Sequence, residues 1–226
     1  MRWQKKLGAN VNWSEASWPD LASLAPLKTK RVDIYAVTPF NDIPRRRELG
    51  VSFVDFAYEA RYFFALSTNA NQFKSPQGLC GKRVAVPRSS KGHGMHLTIE
   101  RWSHDNCTKA GNPAVVLVYS ESIATILLEM KQGRVDASVN SGGSLDYQNQ
   151  TEGNAYIKIG NPLYKPMGGL AFLNENMQLG LALKNALDGL IADGTYVQLL
   201  RKWKISVDDT AIGEASINAG PDPAEH

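Results

Sequence analysis

Cysteine is scarce in this chain: 226 residues carry two, Cys80 and Cys107, beside four histidines, His93, His96, His104 and His226. Two thiols exclude a disulfide-dense scaffold and a four-cysteine zinc site. Long apolar runs are lacking as well. The longest, over 114–119 and 123–128, fall far short of the ~20 residues a membrane-spanning helix needs. Nor does one sign of charge prevail. With 25 Lys+Arg against 22 Asp+Glu the net charge is +3, and only Arg45, Arg46 and Arg47 cluster, which is no electrostatic footprint for nucleic acid. Internal repeats and low-complexity tracts are also missing.

What is present suits a folded chain of one or two domains, since 43% of the residues are hydrophobic and 21% charged. Residues 1–6 are followed by polar positions rather than an apolar core segment, so they do not read as a signal peptide. Trp3 and Leu7 lie four apart, Lys5 and Lys6 fit a last helical turn, and Gly8 fits the left-handed position after it. The chain therefore reads as starting at the end of a helix, with a strand over 11–13 next. A helix over 18–28, a strand over 32–37, an irregular stretch over 39–47 and a long extended stretch over 53–66 follow.

From Gly81 the pattern is α/β. Strands over 83–87, 115–119 and 135–139 alternate with helices over 94–104 and 122–132, the sequence form of right-handed βαβ units. Ser120 or Ser122 serves as N-cap of the second helix and Gly133 ends it, with Ile123, Leu127 and Met130 on its apolar side. A last strand over 168–172 precedes a helix over 178–192 with Leu183, Leu187 and Leu190 on one face. Asp193-Gly194-Thr195 breaks that helix and opens a final one carrying Tyr196, Leu199, Leu200 and Trp203. The tail after Lys204 is polar and reads as loose. Cys80 stands before one strand and Cys107 after the helix that feeds its neighbour, at the same sheet edge. They either form a bridge closing a 27-residue loop, worth ~3–4 kcal/mol in the chain-entropy model, or remain two separate buried thiols.

Ligands of parallel sheets collect beyond the carboxyl ends of the strands. Three loops qualify: Arg88-Ser89-Ser90-Lys91-Gly92, Ser120-Glu121 and Asn140-Ser141-Gly142-Gly143. A Ser-Ser-Lys-Gly loop opening a helix either donates N–H groups to an anion or simply caps the helix. The Walker spacing and the G-x-S-x-G elbow are both absent, so no nucleotide loop or serine nucleophile is indicated. His93 and His96 have the spacing of a chelating pair, but with no further ligand nearby they read as solvated helix residues.

A set of segments, in order, resembles the family-3 extracellular solute-binding proteins of polar amino-acid ABC importers. Arg31-Val32-Asp33, Ile43-Pro44-Arg45-Arg46-Arg47 and Ser52-Phe53-Val54-Asp55-Phe56-Ala57-Tyr58-Glu59 are similar to that family's G-x-x-D-A, T-P-E-R-K-K and D-F-S-D-P-Y-Y. Leu79-Cys80-Gly81-Lys82-Arg83-Val84-Ala85-Val86 resembles D-L-x-G-K-x-V-G-V, and Gln132-Gly133-Arg134-Val135-Asp136-Ala137 a second G-x-x-D-A. Met167-Gly168-Gly169-Leu170-Ala171-Phe172 resembles Y-G-I-A-F, and Asp193-Gly194-Thr195-Tyr196 through Trp203 resembles D-G-T-Y-x-x-I-x-x-K-W. Coverage runs from about Lys5 to Lys204.

The resemblance implies an α/β, two-lobed periplasmic-binding-protein type II fold, mostly parallel sheets flanked by helices, with a hinge between the lobes. Lobe 1 would be residues 1–59 and 168–226, lobe 2 residues 60–167, with hinges near 56–61 and 164–168. The implied protein is not an enzyme. It is a periplasmic monomer that binds a small carboxylate-bearing solute without cofactor, metal or nucleic acid and delivers it to ABC permease subunits. Trp18 falls where the family stacks an aromatic on the ligand, and Arg46 falls on the arginine that grips its carboxylate. Ser89 and Ser90 fall on the loop whose N–H groups hold the same carboxylate. Thr38 and Asn41 bracket a one-residue insertion, and one or the other fills the remaining donor role. Ser141 stands in place of the aspartate that holds the α-ammonium, so the expected ligand, an amino acid or derivative, carries a carboxylate but no free primary α-ammonium, or has its amine substituted, unless Glu121 or an acid of the missing N-terminal part supplies the charge. The entry in mid-helix predicts an N-terminally incomplete copy of the fold. Two other readings share the fold: a dehydratase of the cyclohexadienyl type, with Glu121 as its only nearby acid, and the sensing module of a larger receptor.

Overall fold

The structure, a computed structural model, describes residues 6–15, 24–37, 50–88 and 95–219. Its strands are β1 (Tyr35–Val37), β2 (Val51–Tyr58), β3 (Arg61–Leu66), β4 (Arg83–Pro87), β5 (Val116–Ser120), β6 (Ala137–Ser141), β7 (Tyr156–Tyr164), β8 (Met167–Leu173) and β9 (Ser216–Ile217). Its helices are α1 (Ala25–Lys28), α2 (Met95–Asn106), α3 (Ile123–Lys131), α4 (Gly142–Thr151), α5 (Met177–Ala192), α6 (Thr195–Lys202) and α7 (Val207–Thr210). The chain divides into two compact units, Met1–Glu59 with Lys165–His226, and Ala60–Tyr164.

The first unit is built on a sheet of order β1-β8-β2-β9, antiparallel throughout its described pairs. Alternation along β2 and β8 sends successive side chains to opposite faces. Phe53 and Ala171 meet Leu24, Leu27 and Tyr35 on one side, while Val54 and Phe172 meet Leu183, Leu187 and Leu190 of α5 on the other. Gly180 lets α5 lie this close, because a Cβ there would come within 2.2 Å of the Phe172 ring. Tyr196 locks α6 down by donating its hydroxyl to Phe56 O at 2.9 Å.

The second unit carries a sheet of order β5-β4-β6-β3-β7. Strands β4, β5 and β6 run parallel, and β3 is antiparallel to both β6 and β7. The middle of β4, Val84-Ala85-Val86, is wholly buried, as befits a parallel strand packed on both sides. Ile99 of α2 and Ile126 and Met130 of α3 pack into this core with Phe63, Phe64 and Ile159. Each such fully buried side chain stabilises by roughly 1.5–3 kcal/mol. Ser122 caps α3, its Oγ accepting from Thr125 N at 3.1 Å, and Gly133 follows with φ of +67°. Of the two candidate caps, Ser122 is the one used.

Several expectations need correction. Parallel pairing is confined, among the described residues, to β4–β5 and β4–β6, because β2, β3, β7 and β8 pair as antiparallel neighbours. Residues 11–13 form no strand. The stretch 53–66 is two strands broken at Glu59 and Ala60. Helix α4 and strand β7, between Gly142 and Tyr164, carry a weak apolar pattern and were not legible. The described part of the tail past Lys204 packs on the first unit: Ile212 and Ala215 are buried, and β9 pairs with β2. Buried Asp55 anchors it, accepting from Ser216 Oγ and Ala219 N at 2.8 Å each. Trp203 caps the end of α6 and lies 63% exposed rather than on its apolar face.

Candidate functional site

The strand ends of the second unit's sheet define one edge. Strands β4 and β5 are in register to Pro87↔Ser120, β6 ends at Ser141, and antiparallel β3 begins at Arg61, the direct partner of Ser141. At this edge Ser122 opens α3 beyond β5 and Ser141 opens α4 beyond β6, so two helix N-termini with their partial positive charge lie along the sheet end, that of α4 next to Arg61.

Ser141 is 4% exposed and is the N-cap of α4. Its Oγ accepts from Ser144 N at 3.2 Å and donates to Ser144 Oγ at 2.8 Å, and its own N–H donates to Asn140 Oδ1 at 2.8 Å. The next amide, Gly142 N, donates to Ala60 O at 2.8 Å. A serine hydroxyl has one proton and two lone pairs, so Ser141 retains one acceptor direction and no charge.

Two of this unit's ion pairs are Lys158–Asp146 and Arg88–Glu121. Lys158 Nζ lies 2.9 Å from Asp146 Oδ1 and 5.0 Å from the centre of the Tyr62 ring. Both the ring and the ammonium crowd Gly142, where a Cβ would sit 3.2 Å from Tyr62 and 3.3 Å from Lys158. Arg88 Nε lies 3.0 Å from Glu121 Oε1, with both side chains mostly exposed. Asp146 and Glu121 are thus each matched to a cation. Ser120 is also committed, donating to Glu129 Oε2 at 2.5 Å and tying β5 to α3. Glu121 is a largely exposed ion-pair partner.

Of the residues expected at the site, the structure describes Ser141; Trp18, Thr38, Asn41, Arg46, Ser89 and Ser90 lie outside the described residues, as does His93. No local spacing marked Lys158, Asp146 or Tyr62, which come from three separate elements. Among the described residues no group of three or more His, Cys, Asp or Glu could hold a metal ion, and no helix is long and apolar enough to cross a membrane.

Several motif residues brace the frame. At the opposite edge of β4, the Arg83 guanidinium grips Asp136 through Nε at 3.0 Å and Nη2 at 2.9 Å, and Arg83 N adds a bond of 2.8 Å. These bonds hold the Asp136 carboxyl below the usual carboxylate range. Asp193 accepts from Thr195 N at 3.0 Å and pairs with Lys6 at 2.9 Å, fixing the turn into α6.

No family model matches the chain. Over 135 residues, 60% of this chain, it is 27% identical to the L-cystine-binding protein TcyK of Bacillus subtilis, and the match spans about half of that relative, 47%. Over 190 residues, 80% of this chain and 68% of the relative, it is 26% identical to the histidine-binding periplasmic protein of Escherichia coli. The chain is related to amino-acid-binding proteins of ABC transporters. Its fold is theirs too: the probable amino-acid ABC transporter extracellular-binding protein ytmK of Bacillus subtilis superposes with a TM-score of 0.73 at 24% identity, covering 89% of this chain and 83% of that one. The expected resemblance and the α/β fold class therefore stand.

Proposed function

We propose that this chain is the substrate-binding component of an ABC importer, acting outside the cytoplasmic membrane as a monomer that hands a small carboxylate-bearing solute to permease subunits. The observation that carries this reading is the kinship over 80% of the chain with the histidine-binding periplasmic protein, together with a shared fold. Arg46, Ser89 and Ser90 hold the solute's carboxylate, Trp18 stacks on it, and Thr38 or Asn41 supplies a further donor.

Ser141 narrows the solute class. An ammonium brought to this edge meets a positive helix terminus, a neutral hydroxyl and carboxylates already paired to Arg88 and Lys158. Desolvating an ammonium without a carboxylate partner is costly. The favoured solute therefore has a carboxylate and a substituted or absent α-amine. Calorimetric titration of freshly refolded protein tests this with L-arginine, L-histidine and L-cystine beside their N-acetyl and 2-oxo counterparts. Binding of the amine-substituted or amine-free acids is expected. Tight binding of the free amino acids alone would overturn the solute class, and absence of binding to every carboxylate would overturn the function.

A further inference from the structure

The surface of the second unit carries a half-open cavity of about 390 Å³ lined by Phe63, Pro76, Gln77, Trp102 and the segment 160–163 of β7. Its origin is a wide bulge. Arg61 pairs with Tyr164 and Phe63 with Ile159, so the single residue Tyr62 faces four on β7, the four that wall the cavity. Bulges of this kind re-aim a strand where a surface has to be shaped.

Three further features hold the cavity open. Gly160 has φ of +67°, and a Cβ there would lie 2.3 Å from Pro76 Cγ, so the bulge and the 3-10 turn Pro76–Leu79 fit closely only with glycine. Phe63 and Trp102 meet edge to face, centroids 4.8 Å apart, which fixes the indole while leaving it half-buried. The Cys80–Cys107 disulfide joins the residue after the Pro76 turn to the residue after α2, which carries Trp102. Two walls of the cavity are thus covalently tied.

The lining determines the ligand chemistry. None of the lining side chains is ionisable, so nothing there would compensate a charged ligand. The half-buried Trp102 indole, backed by buried Phe63, offers an apolar body together with two prolines and Leu163, while the exposed carboxamides of Gln77 and Asn161 offer a donor and an acceptor. The volume lies within the few-hundred-Å³ range of small-molecule sites. We infer that this bulge cavity is a second binding site, for a small neutral aromatic molecule bearing one hydrogen-bonding group. The inference is independent of the proposed solute.

Indole is a suitable probe, titrated into the ¹⁵N-labelled full chain with the Trp102 indole N–H signal assigned through Trp102→Phe. A saturable shift of that signal is expected, weakened at least about tenfold by filling the mouth with Asn161→Trp or, separately, Gln77→Trp, both exposed positions that leave the core intact. Benzoate should produce no saturable shift, and reduction of the disulfide should weaken the indole response. An absent or non-saturable shift, an unchanged one in both filled variants, or equal binding of benzoate would overturn the assignment.

Discussion

Cys80 and Cys107 are bonded to each other, their Cα atoms 5.5 Å apart across 27 residues of sequence. Of the two alternatives open from the sequence, the bridge is the one realised. It ties the entry to β4 to the end of α2, and both thiols are consumed.

Removing this bond frees the unfolded chain of a 27-residue loop constraint, which the chain-entropy model values at about 3.5 kcal/mol. Cys80→Ala with Cys107→Ala should therefore lower the unfolding free energy from urea titration by about that amount, with a matching fall in the midpoint, and reduced wild type should match the variant. Equal midpoints for oxidised and reduced protein would show that the constraint contributes nothing.

Ser141→Ala removes the cap of α4 and should cost about 1 kcal/mol in urea unfolding. Ser141→Asp should fold as well as wild type, since aspartate caps equally and suits the positive helix end. The same aspartate should bring in binding of free L-amino acids, read by thermal shift. If Ser141→Asp leaves the ligand preference unchanged, the assignment of Ser141 as the specificity position is wrong.

Arg46→Ala should weaken binding of the solute roughly 30-fold to several thousand-fold, the usual 2–5 kcal/mol for truncating one partner of a buried charge-assisted pair. Arg45→Ala and Arg47→Ala should each matter far less by calorimetry. A greater effect at either neighbour would move the carboxylate grip by one residue.

Asp193 gives a pH signature. The Thr195 side chain, then Lys6, hold its carboxyl down to about 2, below the unfolded value of about 3.9. Because the folded value is the lower one, the stabilisation is fully present above about pH 4 and is lost as pH falls towards about 2. Asp193→Asn should flatten stability against pH across that window. Parallel curves for variant and wild type would rule out this contribution.

Where short-range chemistry sets the outcome, the sequence was enough. Strand β4 with its β-branched core, α3 between Ser122 and Gly133, the leucine face of α5 and the break at Asp193-Gly194 all follow from propensity, capping and period. The kinship with amino-acid-binding proteins was legible for the same reason, since its motifs are local runs. Yet Asp136 and Tyr196 inside those runs turn out to brace strands and helices.

Tertiary structure alone decided what distant segments do together. The bond between Cys80 and Cys107, the pairing of Lys158 with Asp146 beside Gly142, and the seat of the tail on buried Asp55 join residues 12 to 164 positions apart. The bulge of β7 over Phe63 and Trp102 is of the same kind. Such contacts leave no periodic trace, because their energy depends on which surfaces packing brings together and not on neighbours along the chain. Even at Ser141 the sequence supplied a hydroxyl where a carboxylate was expected, and the fold determined that this hydroxyl caps a helix beside paired charges.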